Sequence, residues 1–161
     1  RDDSIDPSYY LSPMAMGKRR RHASRPRYGC DPGSCARSAA HPFYVRLNQI
    51  LDQHDFDGFV EGLCERIYAD EGRPGLPTGR YFRLLLIGHF EGLDAERSIA
   101  WRAADALREF LGLVLREAPP DHSTISRTRR LIDLETHEAV FTWMLQRLAR
   151  RGSGQGQDRR H

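Results

Sequence analysis

The sequence has few cysteines and no long apolar run. Three of its 161 residues are cysteine, and Cys30 and Cys35 form a spaced pair without a second pair, so neither a disulfide scaffold nor a four-ligand zinc site is supported. No apolar run approaches the roughly 18 residues that cross a bilayer, and the start at Arg1 lacks the basic-then-apolar order of a secretory signal. These absences predict a cytoplasmic protein without a membrane segment.

Lysine is also scarce, because Lys18 is the single lysine among 25 basic residues. Arginine suits phosphate and guanine contacts, although a GC-rich genome produces the same bias. The charge is uneven along the chain. Residues 1–40 hold 8 basic and 4 acidic side chains (net +4), residues 41–150 hold 14 and 17 (net −3), and residues 151–161 hold 3 and 1 (net +2). The basic excess therefore lies at the two ends.

Both ends have the composition of disordered tails. Residues 1–40 are rich in Arg, Ser, Pro and Gly without an apolar period, and residues 151–161 are rich in Gly and Gln. The first tail contains a cluster that suits contact with a nucleic-acid backbone, although such a run is more often a solvated tail. The basic residues of this cluster are Lys18, Arg19, Arg20 and Arg21.

Between the tails, apolar residues recur at helical spacing. Two amphipathic helices precede the proline-containing loop 72–77, and residues 81–90 are apolar on nearly every side, which predicts the helix at the centre of the core. A last helix is predicted from about 133 to 150. No segment alternates long enough to form a convincing strand, so the sequence predicts an all-α fold with one compact multi-helix domain over 41–150.

The predicted helix 123–132 has two different faces. At about 100° per residue, Ile125 and Ile132 define a buried side, while Ser and Arg side chains lie opposite. Short hydroxyl side chains followed by arginines are what a DNA-recognition helix needs, because Arg contacts guanine edges or phosphates bidentately. Exposed arginine-bearing faces are also common on helices that bind nothing. The candidate DNA-binding residues of this helix are Ser123, Ser126, Arg127 and Arg130.

The helices before it are predicted to support a helix-turn-helix-like unit. A helix carrying Ile99 and Trp101 leads into a short helix over 107–113, and together they supply the packing partner of helix 123–132. Arg129 lies near the buried side of that last helix. It is therefore predicted to be a structural ion-pair partner and not a DNA contact.

Several polar groups have residue types found in catalytic sites, but their spacing does not fit such a site. Asp121, His122 and Ser123 have the residue types of a hydrolase triad, but consecutive helical residues point about 100° apart and cannot connect nucleophile, base and orienting acid. Glu61 and Glu65 fit a solvated helix face, and no two histidines have helical metal-ligand spacing. The sequence predicts no catalytic site, metal, cofactor or small-molecule substrate.

A series of short motifs in one order resembles the N-terminal domain of bacterial insertion-sequence transposases of the DDE class, over about 110 residues from His41 to Arg150. The motifs are His41-Pro42-Phe43-Tyr44, Phe56-Asp57, Gly72-Arg73-Pro74, Tyr81-Phe82-Arg83-Leu84-Leu85-Leu86-Ile87-Gly88, Phe90-Glu91-Gly92-Leu93-Asp94, Glu96-Arg97, Ile99-Ala100-Trp101-Arg102 and Pro120-Asp121-His122-Ser123. The resemblance implies a helical domain that binds the terminal inverted repeats of its insertion sequence, on double-stranded DNA at the bacterial nucleoid.

The resemblance also implies that strand cutting and joining belong to a following ribonuclease-H-like domain with two metal ions. Residues 151–161 lack the β-branched or aromatic run of a strand, so Asp158 is not expected to be a catalytic aspartate. We therefore expect a truncated, non-enzymatic DNA-binding fragment, with terminal segments that come from shifted-frame or decayed coding sequence. Two alternatives remain open: a fragment that forms a homo-oligomer or pairs with intact transposase and inhibits it, and a decayed reading frame without function.

Overall fold

The computed structural model describes residues 14–18, 42–69, 71–105, 107–114 and 117–152. Within these ranges it contains seven helices and two very short strands. The helices are α1 (Pro42–Gln53), α2 (Phe56–Cys64), α3 (Thr78–Glu91), α4 (Glu96–Asp105), α5 (Arg108–Leu111), α6 (His122–Leu131) and α7 (Leu134–Gly152), and the strands are β1 (Met14–Ala15) and β2 (Arg73–Pro74). The predicted all-α class is confirmed.

The short segment 14–18 packs against the helical domain. β1 pairs with β2 in parallel, and the Gly75 N–H donates to the Ala15 carbonyl oxygen at 2.9 Å. Gly17 is buried so tightly that a Cβ atom there would stand 2.1 Å from the Gly75 carbonyl oxygen. Residues 14–18 fall within the segment predicted to be an unstructured tail. Backbone pairing with β2 and the close contact of Gly17 with Gly75 hold them against the helical domain.

α3 forms the centre of the core, as its apolar sequence predicts. Every residue from 78 to 88 on this helix is buried. The helix ends at Glu91, and the following Gly92 adopts the left-handed conformation with φ of 67°, a region that glycine enters without steric cost. α2, α4 and α5 pack against α3, and α1 contacts it through side-chain hydrogen bonds, so the position of α3 fixes the place of all four helices.

A buried guanidinium ties α3 to the two helices before it. The Arg83 side chain is fully buried, and its guanidinium donates to Asp57 at 2.7 Å and to Asp52 at 3.2 Å. Its Nε donates to the Asn48 side-chain oxygen at 3.2 Å, and its Cζ lies 5.3 Å from the ring centre of Phe56. A buried charge needs such a complete set of partners, because burial without them is strongly unfavourable.

A second arginine of α3 holds the connection that leads to α6. Arg80 is buried, and its side chain donates to the backbone carbonyl oxygens of Leu111 and Gly112 at 3.1 and 3.3 Å. It also forms an ion pair with the Glu117 carboxylate. Because the last carbonyl groups of a short helix lack partners within the helix, Arg80 caps the end of α5. It also holds in place the chain segment that follows α5 and leads to α6.

α7 closes the domain. Trp143 of this helix stacks on Phe59 of α2, with ring centres 4.9 Å apart. The helix continues to Gly152, two residues past the predicted limit of about 150 and into the segment predicted to be a tail. The remaining residues of that tail, 153–161, lie outside the described part of the chain. No helix among the described residues is long and apolar enough to cross a membrane.

Candidate nucleic-acid interface

Asp121 determines where α6 begins. Its Oδ1 accepts a hydrogen bond from the Thr124 N–H at 2.7 Å and another from the Ser123 hydroxyl at 2.7 Å. A carboxylate in this position satisfies N–H groups that have no partner within the helix. The hydrogen bonds from Ser123 and then Thr124 lower the pKa of Asp121 to about 2. The cap therefore stays ionised at neutral pH and leaves a negative charge at the first turn of α6.

One side of α6 is buried, as predicted. Ile125 and Thr128 are fully buried, and the Thr128 hydroxyl donates to the Thr124 carbonyl oxygen at 3.0 Å. Ile132 follows the helix in an extended conformation and is also buried. The predicted burial of Ile125 and Ile132 is confirmed, and these contacts fix the rotation of α6 about its axis.

The opposite side of α6 carries what we call the arginine face: Ser123, Arg127 and Arg130, with Ser126 at its edge. The first three side chains are exposed and Ser126 is half-buried. Neither Arg127 nor Arg130 forms an ion pair with any described residue. The grouping expected from the helical angles is therefore present. The Ser123 hydroxyl proton is already donated to Asp121, so this serine offers a ligand only acceptor positions.

Arg129 has a different role from its neighbours. Its guanidinium lies 2.6 Å from the Glu96 carboxylate in the first turn of α4. The predicted ion-pair role of Arg129 is confirmed, and the pair joins α6 to α4. Because Glu96 neutralises it, Arg129 adds little positive charge to the surface.

α4 and α6 pack against each other, but their connection differs from that of a helix-turn-helix. α4 packs against α3, α5 and α6. The chain between α4 and α6 runs over residues 106–121 and contains α5, whereas the usual motif has a turn of about 3–4 residues. α4 therefore supports α6 at the surface, while α5 and the contacts of Arg80 fix the segment that connects the two helices.

The basic cluster of the N-terminal segment falls mostly outside the described part of the chain. Lys18 is exposed and follows Gly17, which packs against residues 75–77. It is thus attached beside β2 and not to α6. Arg19, Arg20 and Arg21 lie outside the described residues.

An open groove of about 610 Å³ lies where α3, α4, α6 and α7 meet, and sequence reasoning missed it. His137 lines this groove. The Tyr81 hydroxyl lies 2.8 Å from His137 Nε2, and His137 Nδ1 lies 2.7 Å from the Asp133 carbonyl oxygen. Burial raises the pKa of Tyr81 to about 12. Because the Asp133 carbonyl oxygen only accepts, Nδ1 of His137 donates to it, and Nε2 of the neutral ring accepts a hydrogen bond from the Tyr81 hydroxyl. These contacts join α3 to α7 and have a structural role. Among the described residues, no three His, Cys, Asp or Glu side chains are grouped to hold a metal ion.

The architecture is that of an all-helical domain that presents an arginine-bearing helix at its surface. The chain matches the family model described as transposase domain (DUF772) over residues 34–131, which is more than half of its length, and it belongs to this family. The resemblance to insertion-sequence transposases is thereby confirmed at the level of the family. No curated protein and no solved structure shows a significant match.

The matched range locates the family's conserved domain relative to the candidate residues. It begins at residue 34, seven residues before the predicted boundary at His41, and ends at Leu131, the last residue of α6. The arginine face therefore lies inside the family domain, whereas the basic cluster 18–21 precedes it.

Proposed function

We propose that this domain binds double-stranded DNA by placing the arginine face of α6 in the major groove, and that its targets are the ends of an insertion sequence. The observation that carries the proposal is the pair of exposed arginines, Arg127 and Arg130, on a helix whose opposite side is buried through Ile125 and Thr128. Membership of the transposase domain family supports DNA as the partner. Such a target implies action at the bacterial nucleoid.

The electrostatics of α6 favour a DNA partner. The helix contains three arginines and no acidic residue, and Arg129 is neutralised by Glu96. Two full positive charges therefore remain on the outward surface, where they attract phosphate and can donate to guanine. The ionised Asp121 repels phosphate from the first turn, so we expect the contacts to come from Arg127 and Arg130 further along the helix.

Base contacts and backbone contacts have different signatures. A guanidinium that donates to a guanine edge discriminates among sequences by about 1–3 kcal/mol. A basic cluster that touches only phosphate strengthens binding to all sequences alike, and its strength falls as salt rises. We assign the first role to Arg127 and Arg130 and the second to the cluster of Lys18, Arg19, Arg20 and Arg21.

The test begins with selection of tightly bound duplexes from a random-sequence pool by the wild-type protein, followed by fluorescence-anisotropy titration of one selected duplex and its scrambled counterpart. Arg127→Ala and Arg130→Ala should each weaken binding to the selected duplex by about 1–3 kcal/mol wherever the arginine contacts a base. Arg46→Ala, an exposed arginine on α1, is the matched control. Removal of the cluster 18–21 should weaken both duplexes equally and flatten the salt dependence.

The proposal fails if the Arg127→Ala/Arg130→Ala double variant keeps its helical circular dichroism and binds the selected duplex as tightly as the wild type. It also fails if no duplex is enriched. The assignment of the target is contradicted if the selected sequence does not occur at the ends of the insertion sequence that encodes the chain. The proposal assigns DNA binding, and not strand cutting, to this domain.

A second candidate function is contact with another transposase chain, either a second copy or intact transposase. Leu134 supports it, because this leucine is 73% exposed at the rim of the open groove, and exposed apolar surface beside a groove is typical of protein contacts. Sedimentation at rising concentration should show association that Leu134→Gln abolishes and Leu145→Gln, on the same helix, preserves. A monomer at every concentration, alone and mixed with intact transposase, would exclude this candidate.

A further inference from the structure

α4 exposes an aromatic side chain that its apolar neighbours do not cover. Trp101 is 71% exposed, whereas Trp143 of α7 is stacked on Phe59. The indole ring has a large apolar surface and one N–H donor. An exposed tryptophan is unfavourable in water, so its position on a helix that packs against α6 suggests a contact with a partner.

Trp101 and Arg97 lie in one row on α4. They are four residues apart, so their side chains are neighbours on the helix surface, and both point roughly 160° away from Ile99 at about 100° per residue. Ile99 is buried in the same core cluster as Ile125 of α6. The row of Arg97 and Trp101 therefore faces away from the core, as the arginine face of α6 does.

The two outward rows belong to helices that pack against each other. The ion pair between Glu96 and Arg129 joins α4 to α6. Arg97 and Arg130 each follow one residue of this pair in the sequence, about 100° further round their helices. Arg97 is exposed and forms no ion pair with a described residue. Arg97, Arg127 and Arg130 thus give the α4–α6 surface an excess of unpaired positive charge, which is complementary to the phosphate backbone of DNA.

We propose that Arg97 and Trp101 contact the sugar–phosphate backbone of the same duplex whose major groove receives α6. Arg97 donates to a phosphate oxygen, while the indole ring packs against a deoxyribose and its N–H donates to a neighbouring phosphate. This inference rests on the proposed function of α6 and extends it to a second helix. Backbone contacts position a protein on DNA without reading the sequence, so α4 sets the orientation of α6 in the groove.

The first test compares affinities for the selected and the scrambled duplex. Trp101→Ala should weaken binding to both duplexes by about fivefold, in line with the loss of one aromatic contact, and Trp101→Phe should weaken it less because the apolar contact persists. Arg97→Ala should weaken both duplexes alike and reduce the slope of log affinity against log salt by about 1. Leu145→Ala, which removes an exposed apolar side chain on α7, and Arg46→Ala are the matched controls.

The second test observes Trp101 directly. The fluorescence of the wild type minus that of Trp101→Phe isolates the signal of this indole from that of Trp143. In the free protein the signal should be strongly quenched by acrylamide. Addition of the selected duplex should reduce this quenching at least twofold, with a midpoint that coincides with the anisotropy titration.

The outcomes separate the two proposals. If Arg127→Ala weakens binding while Trp101→Ala and Arg97→Ala do not, and the quenching of Trp101 is unchanged by DNA, α6 binds DNA and the inference about α4 is wrong. If Trp101→Ala affects only the selected duplex, the residue reads bases and the assignment to the backbone is wrong. If the wild type binds no duplex, the proposed function and the inference fall together.

Discussion

Arginine has opposite roles on α3 and α6. Arg83 on α3 is fully buried, and its guanidinium contacts the carboxylates of Asp52 and Asp57. Arg127 and Arg130 on α6 are exposed and have no carboxylate partner among the described residues. The same side chain thus stabilises the core in one helix and remains available to a ligand in the other.

The difference lies in the neighbouring helices and not in the arginines. α1 and α2 bring two carboxylates to the side of α3 that carries Arg83, whereas the outward side of α6 has no neighbouring helix among the described residues. Arg129 is the intermediate case, because it belongs to α6 but lies close enough to α4 to pair with Glu96. An arginine on this fold is free for phosphate only where no neighbouring helix supplies an acid.

The largest effect should follow from removal of the buried arginine. Arg83→Ala leaves Asp57, whose side chain is only 13% exposed, without its cation and opens a cavity in the core. We expect the free energy of unfolding to fall by about 3–5 kcal/mol, the usual consequence of breaking a buried ion pair. Urea unfolding followed by circular dichroism measures the change.

Arg127→Ala is the matched control for that measurement, since it removes the same side chain from the surface. Its free energy of unfolding should stay within about 0.5 kcal/mol of the wild type. The comparison between the two helices breaks down if both variants lose the same stability, or if Arg83→Ala loses less than about 1 kcal/mol.

Much of this fold can be predicted from the local sequence pattern. The parts that cannot be predicted depend on contacts between residues that are distant in sequence. The central position of α3 is predictable because its residues are apolar on nearly every side. The burial of Arg83 is not predictable in this way, because its carboxylate partners come from α1 and α2. A periodic pattern does not show which helices pack against each other. β1 also cannot be predicted from the sequence, since two residues show no period. The contact of its segment with the domain depends on the close approach of Gly17 and Gly75.

Some features of the candidate site can likewise be predicted from the sequence, and others cannot. The angles along α6 predict which residues are buried and which form the arginine face, because the helix has a single regular period. They also predict that Arg129 pairs, but not that Glu96 is its partner, since that depends on how α4 crosses α6. The angle between Trp101 and Ile99 is also readable from the sequence, but which of the two residues faces the core is not, because both are apolar.

A smaller effect should come from the acid closest in sequence to the arginine face. Asp121 Oδ1 accepts hydrogen bonds from Ser123 and Thr124. Asp121→Ala removes this cap and should lower the free energy of unfolding by about 1 kcal/mol at neutral pH. Asp121→Asn should keep most of that stability, because asparagine also accepts the hydrogen bond from the Thr124 N–H.

The pH dependence sharpens this test. Because the pKa of Asp121 is lowered to about 2 in the folded protein, the ionised cap contributes stability above its ordinary pKa of about 4. That contribution is lost as the pH falls from about 4 towards 2. The stability difference between wild type and Asp121→Asn should therefore shrink over this range. A difference that is constant with pH would show that the charge of Asp121 does not contribute.

The smallest effect should belong to the intermediate arginine. Arg129 and Glu96 are partly exposed, at 42% and 25% of their side-chain surfaces, so solvent weakens their attraction. A double-mutant cycle with Arg129→Ala and Glu96→Ala should give a coupling energy of about 0.5 kcal/mol, which falls as salt is raised.

Glu96→Ala alone has a further consequence, because it frees Arg129 beside the arginine face. We expect this variant to bind the scrambled duplex more tightly than the wild type, with a steeper salt dependence, while Arg129→Ala binds it unchanged. Equal DNA affinity of Glu96→Ala and wild type at low salt would contradict the view that pairing with a neighbouring helix decides which arginines reach phosphate.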